Sequence, residues 1–152
     1  MSNADSVSQN TAANFNNYAI GSVTGASLGT AGNAVIAIPF LGGGLTVGNA
    51  TTNSGQVVLR KITIQNANSN VTAANIAVTI SNTGNVAAAN VVVANVVLTN
   101  LVSGTNWQDL TLAYTANTTV NGFATQALFV NVNTAVANGT VDIRVYGDVV
   151  SF

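Results

Sequence analysis

Seven side chains in this chain carry a formal charge: Asp5, Arg60, Lys61, Asp109, Asp142, Arg144 and Asp148. Asp142, Arg144 and Asp148 lie close together near the carboxyl end, and the period of a strand puts Asp142 and Arg144 on one face. Where charge is so sparse, that pair is read as a structural ion pair or an interface contact, with Asp109 as a further partner across the sheet. Carboxylates acting as acid and base need environments that separate their pKa values, and nothing in the sequence supplies that contrast. Gly25-Ala26-Ser27-Leu28-Gly29 fits the G-x-S-x-G nucleophile pattern, but the serine of that motif needs a base, normally His, and the chain has none. A serine–lysine dyad built on Lys61 needs a desolvated amine, whereas Lys61 falls on a polar strand face beside Arg60.

Cysteine, histidine and glutamate are all absent, which removes thiol nucleophiles, imidazole bases, disulfides and zinc sites of the usual kind. Calcium takes six to eight oxygens, usually from several carboxylates in local motifs, and no D-x-D run is present. The expectation is a non-enzymatic protein with no catalytic residue, no metal and no cofactor. Three cations are too few for the counterion release that drives nucleic-acid binding, so no nucleic-acid partner is expected. Trp107, Tyr114, Phe129 and Tyr146 raise a second function class, a sugar-stacking platform on a sheet. The default expectation is that the lone tryptophan, at a strand start, plugs the end of the fold. Asn70-Val71-Thr72, Asn117-Thr118-Thr119 and Asn138-Gly139-Thr140 match the glycosylation triplet, but so much Asn and Thr generates such triplets by chance.

The 152-residue chain is 48% hydrophobic and 5% charged with a net charge of −1. One domain of this length can bury a substantial core. Residues 1–10 hold neither Lys, Arg nor an apolar run, so no secretory signal is read and cytoplasmic synthesis is expected. The longest apolar stretch, 34–45, is broken by Pro39 and Gly42–Gly44 and is too short to span a membrane, so no membrane partner is expected.

Residues 1–32 mix Asn, Ser, Ala, Thr and Gly with scattered Phe15, Tyr18, Ile20, Val23 and Leu28, in neither helical nor strand period. They are expected to form a flexible arm, and residues 33–152 the folded domain. From residue 33 the pattern is β: Val and Thr dominate, apolar residues alternate, and turn residues recur. Strands are expected at 33–40, with Pro39 marking an edge or a stop, at 45–47, 56–66, 76–81, 89–99, 107–114, 126–132 and 140–146. In 56–66, Val58, Ile62 and Ile64 share a face, and Arg60 falls on it by parity. Arg60 must therefore sit at the rim, pair with a carboxylate, or follow a bulge that resets the register; the rim is the default. In 89–99, Val92, Ala94, Val96 and Leu98 form one apolar face, and Val91, Val93, Asn95 and Val97 a second that is still mostly apolar. A strand apolar on both sides is covered on both sides. About eight short antiparallel strands make a single β-sandwich, most simply a jelly roll; a β-solenoid is the alternative, but no fixed period supports it.

Leu59-Arg60-Lys61-Ile62-Thr63-Ile64-Gln65-Asn66-Ala67, then Trp107-Gln108-Asp109-Leu110-Thr111-Leu112, then Val141-Asp142-Ile143-Arg144-Val145-Tyr146-Gly147-Asp148-Val149 resemble the small β-sandwich proteins encoded among the virion structural genes of tailed phages. The likeness covers the chain from about residue 33 and is one of composition and order. Members of that group resemble capsid decoration, or cement, proteins. The resemblance implies a homotrimeric jelly roll, made in the host cytoplasm and placed on the outer capsid surface of the virion, where it bridges copies of the major capsid protein. On that reading Val91, Val93, Val97 and Phe129 are the expected subunit contact, and Phe15, Tyr18 and Ile20 the shell-docking residues of the arm. The competing readings are a carbohydrate-binding or host-attachment module, favoured by an exposed Trp107 or Tyr146, and a surface or appendage subunit.

Overall fold

The computed structural model describes residues 19–39, 55–80, 91–113 and 127–151. Among these residues eight strands are present: β1 (Ala19–Ser27), β2 (Gly32–Pro39), β3 (Gly55–Gln65), β4 (Asn75–Thr79), β5 (Val91–Val97), β6 (Trp107–Leu110), β7 (Ala127–Thr134) and β8 (Thr140–Ser151). They form two antiparallel sheets of four, sheet one in the order β1-β8-β3-β6 and sheet two in the order β2-β7-β4-β5. The pairs β1–β8, β2–β7, β3–β6 and β4–β5 are those of one long ribbon folded back on itself and rolled up, which is the jelly-roll arrangement of a β-sandwich.

The period-2 alternation explains which side chains meet between the sheets. From sheet one come Leu59, Ile62, Ile64, Leu110, Val141, Ile143 and Val145; from sheet two come Ile36, Ile38, Ile76, Val78, Leu128, Val130 and Val132. Leu28, Val71, Leu98 and Leu101, from the connecting segments, are also fully buried and close one end of the core. Each such side chain contributes about 1.5–3 kcal/mol by leaving water. The backbone of that end is tied across segments: the Leu28 N–H donates to the Gly139 carbonyl, Val71 N–H to Leu101, and Leu98 N–H to Ala74.

The expected boundary at residue 33 is corrected. Residues 19–32 belong to the sandwich, because Ala19–Ser27 pairs with β8 and Leu28 is fully buried. Ile20 is a core residue and is not available to dock on a shell. The strand escapes a periodic reading because its register against β8 shifts twice, between Ala19 and Gly21 and between Val23 and Ala26. Each extra residue inverts the alternation that follows it. Gly25, in the second shift, has φ +67°, a conformation that favours glycine. Phe15, Tyr18 and the strand expected at 45–47 lie outside the described residues.

Irregularity also decides β5. Its register against β4 slips between Ile76 and Val78 and again between Val78 and Thr79, so β5 carries extra residues and loses strict alternation. Val92 and Val93 are consequently both buried, whereas Ala94 and Asn95 are both exposed. Val93, expected at a subunit contact, is therefore part of the core, and Ala94 is not. Arg60 is settled the same way. The β3–β8 register shifts between Leu59 and Lys61, so Arg60 is a bulge residue. Leu59 rather than Val58 precedes it on the core side, and Arg60 and Lys61 both face out. Arg60 thus both follows the bulge route and pairs with a carboxylate, that of Asp148; the rim expectation is replaced.

Opposite the bulge, Gly147 leaves no room for a side chain: a Cβ there would run into the Val58 carbonyl oxygen and crowd the Leu59 Cα. Both obstacles are backbone, which cannot rotate away. Gly147→Ala is expected to destabilise the domain by about 1–3 kcal/mol, the usual cost of forcing atoms into a packed site. A fall in the urea midpoint with an unchanged slope checks this; an unchanged midpoint contradicts the bulge geometry.

Candidate functional site

Charge is partitioned between the sheets. Among the described residues every charged side chain lies on sheet one: Arg60 and Lys61 on β3, Asp109 on β6, and Asp142, Arg144 and Asp148 on β8. The four strands of sheet two contain no Asp, Glu, Lys or Arg. Two outer faces of opposite character result.

On sheet one the outward residues stand in rows fixed by register. Gln65 of β3 pairs with Trp107 of β6 on one side and with Asp142 of β8 on the other. In the next row Thr63 pairs with Asp109 and with Arg144. The Thr63 hydroxyl donates to Asp109 Oδ1 at 2.6 Å. Lys61 and Tyr146 form the third row, with the Lys61 ammonium 5.1 Å from the centre of the Tyr146 ring, within cation–π range. Gln65, Asn66, Asn106, Trp107, Asp142 and Arg144 surround a recess of about 340 Å3 at the Trp107 end of these rows.

The expected Asp142–Arg144 ion pair is not formed. Asp142 is only 8% exposed, and its two oxygens are engaged elsewhere: the Gly25 N–H donates to Oδ1 at 2.8 Å and Asn66 Nδ2 to Oδ2 at 3.0 Å. The glycine bulge of β1 and Asn66, held at φ +56°, close over the carboxylate from both sides. The ion pair among the described residues is instead Arg60–Asp148, in which Arg60 Nε donates to Asp148 Oδ2 at 2.8 Å. Its Arg60 side chain is 66% exposed, so water screens the pair. Arg144 has no hydrogen-bond or ion-pair partner among the described residues and is one of the residues lining the recess.

Trp107 is 60% exposed, against the expectation that it plugs the sandwich end. That end is filled by Leu28, Val71, Leu98 and Leu101, and Trp107 shares the outward parity of Asp109. Its neighbour Gln108 is the buried member: Nε2 donates to the Val97 carbonyl, and Oε1 accepts from the Asn100 N–H. The 103–106 loop beside the indole is fixed by Asn106 Oδ1, which accepts from both the amide and the hydroxyl of Ser103. The four aromatic residues considered as a platform do not share a face. Tyr146 stands two rows away under Lys61, Phe129 is on sheet two, and Tyr114 lies outside the described residues. Gln65, Asn66 and Asn106 were not singled out from the sequence; only the outward parity of Gln65 with Lys61 and Thr63 signalled any of them.

Ser27 of the G-x-S-x-G match lies in β1, where its Oγ accepts from the Gly29 N–H at 3.2 Å. Among the described residues no three His, Cys, Asp or Glu side chains gather in a metal-binding group.

Sheet two has a different outer surface. Asn131 is fully buried although it faces outward. Its Oδ1 accepts from the Ala34 N–H at 2.6 Å and its Nδ2 donates to the Thr79 hydroxyl at 3.2 Å. Ala34 has φ +51° and sits where the β2–β7 register slips between Gly32 and Ile36, so the Asn131 amide fills a gap in the ladder. Further along, Asn133 Nδ2 donates to Asn75 at 3.1 Å and to Asn95 at 2.9 Å, linking β7, β4 and β5. Around these amides stand Val35, Ala37, Val91, Val97 and the half-buried Phe129. Comparison with protein-family models, with curated proteins and with solved structures returns no match.

Asp142→Ala is expected to cost about 1–3 kcal/mol, because the Gly25 N–H and the Asn66 amide lose their acceptors. Arg60→Ala, which removes a solvent-screened pair, is expected to cost under about 1 kcal/mol. Chemical denaturation of both variants tests the ranking, and an equal or reversed order contradicts it.

Proposed function

We propose that this protein is a non-enzymatic virion structural protein, a capsid decoration protein of a tailed phage. On this reading it self-associates as a homotrimer and bridges copies of the major capsid protein on the outer capsid surface. The observation that carries the reading is the uncharged outer face of sheet two. Covering a face requires stripping water from everything on it. An ion costs several kcal/mol to desolvate even when it finds a partner, and sheet two has none. Its amides are inexpensive to cover as well, because Asn131 and Asn133 already donate to side chains of their own sheet. What remains to gain is the burial of Val35, Val91, Val97 and Phe129, at about 25 cal/mol per Å2. Of the contact residues expected from the sequence, Val91, Val97 and Phe129 stay in the proposal, and Val93 leaves it.

Few charges also means little dependence on salt. Light scattering at micromolar concentration is expected to give a trimer whose mass is unchanged between low and high salt. Val97→Lys, at a side chain already 40% exposed, should leave the fold intact while weakening association more than tenfold. Val102→Lys, in the loop between β5 and β6, should leave the trimer intact. A wild-type monomer under these conditions overturns the reading; a trimer indifferent to Val97→Lys moves the contact off this face.

A further inference from the structure

We propose that the recess beside Trp107 on sheet one is a saccharide-binding site, with the indole as the stacking surface and Arg144, Gln65, Asn66 and Asn106 as the hydroxyl-binding groups. The argument begins with unspent chemistry. Trp107 is the sole tryptophan of the chain and is 60% exposed. Arg144 offers guanidinium donors that no other described group uses. Asn66 donates to Asp142 through Nδ2, and Asn106 accepts from Ser103 through Oδ1. Each of these asparagines keeps the other half of its amide free among the described residues, one an acceptor and one a donor.

The spacing suits a sugar. Trp107, Gln65 and Asp142 are side by side across three strands, with neighbouring side chains about 5 Å apart. Arg144 stands two residues along β8 from Asp142, roughly 6.6 Å further. A pyranose has an apolar face of C–H groups and a rim of hydroxyls that both donate and accept. The first matches an aromatic ring, and the second matches planar amides and a guanidinium. A protein contact centred on the same tryptophan would have to desolvate Arg144, which forms no ion pair among the described residues, whereas a saccharide in the partly open recess leaves water around it. A nucleic-acid base would stack as well, but its phosphates need more cations than this recess holds.

The site is also held in shape before a ligand arrives. Asp142 fixes Asn66 and the β1 bulge, Gln108 fixes the start of the loop after β5, and Ser103 and Asn106 lock the wall beside the indole. Little ordering entropy is left to lose on binding. This site is on the opposite sheet from the face assigned to assembly, so the two proposals stand or fall separately.

The full chain is titrated with hexose, N-acetylhexosamine and hexuronate di- and trisaccharides, read by Trp107 fluorescence and by calorimetry. At least one class is expected to give a saturable change with a dissociation constant on the order of 1 mM or tighter. Arg144→Ala should weaken it about tenfold or more, and Trp107→Ala should abolish the calorimetric signal. Both variants should keep the wild-type melting temperature and oligomeric mass. Flat titrations with all three classes to about 10 mM overturn the proposal. So does binding that survives Trp107→Ala, or a Trp107→Ala variant whose change is in oligomeric mass and not in sugar affinity.

Discussion

The whole arrangement depends on two sheets closing their apolar faces against each other. With so few ionisable groups, burial between the sheets and the backbone ladders within them must supply almost all of the stability. That demand uses every second residue of each strand and leaves the alternate residues free to differ. Sheet one places its charges, its indole and its tyrosine there; sheet two places amides, small residues and valines. The chemical asymmetry of the molecule is therefore a property of the outward positions alone, imposed on a core that is apolar on both sides.

The irregular positions are where the two requirements meet. A perfect alternation could not put Arg60 and Lys61 together on the outside, nor Val92 and Val93 together on the inside. Inserted residues in β3 and β5 make these departures, others interrupt β1 and β2, and the bulges of β1, β2 and β3 are each accommodated by a specific group. Gly147 yields space opposite the β3 bulge, Asp142 receives the amide freed at Gly25, and Asn131 receives the one freed at Ala34. Two outward-facing side chains, Asp142 and Asn131, are buried because each is covered by a bulge that it also satisfies.

Much of the fold was legible in the sequence where the ladder is regular. Leu128, Val130 and Val132 of β7 and Val141, Ile143 and Val145 of β8 face the core as alternation requires, and Asp142, Arg144 and Tyr146 face away. Strand β1 was not legible, because glycines and two register shifts erase its period within nine residues. Val93 was misplaced for the same reason. The partners of Asp142 could not be read at all, since Gly25 and Asn66 are 117 and 76 residues away along the chain. Trp107 is a different case. Its outward direction follows from Leu110 and Asp109, and a general expectation about lone tryptophans outweighed a local parity that was already present.

The slips in β2 and β5 bear on what a further strand would meet at the borders of sheet two. Among the described residues these are the two outermost strands of sheet two, whereas β7 and β4 lie between them. Each carries inserted residues, and β2 also ends at Pro39, which lacks an amide hydrogen. A flat, unbroken border would invite strand-by-strand addition of further copies and open-ended fibril growth, with no like-charge repulsion to oppose it. Kinked borders deny that template on both sides, so strand-by-strand addition has no straight ladder to copy.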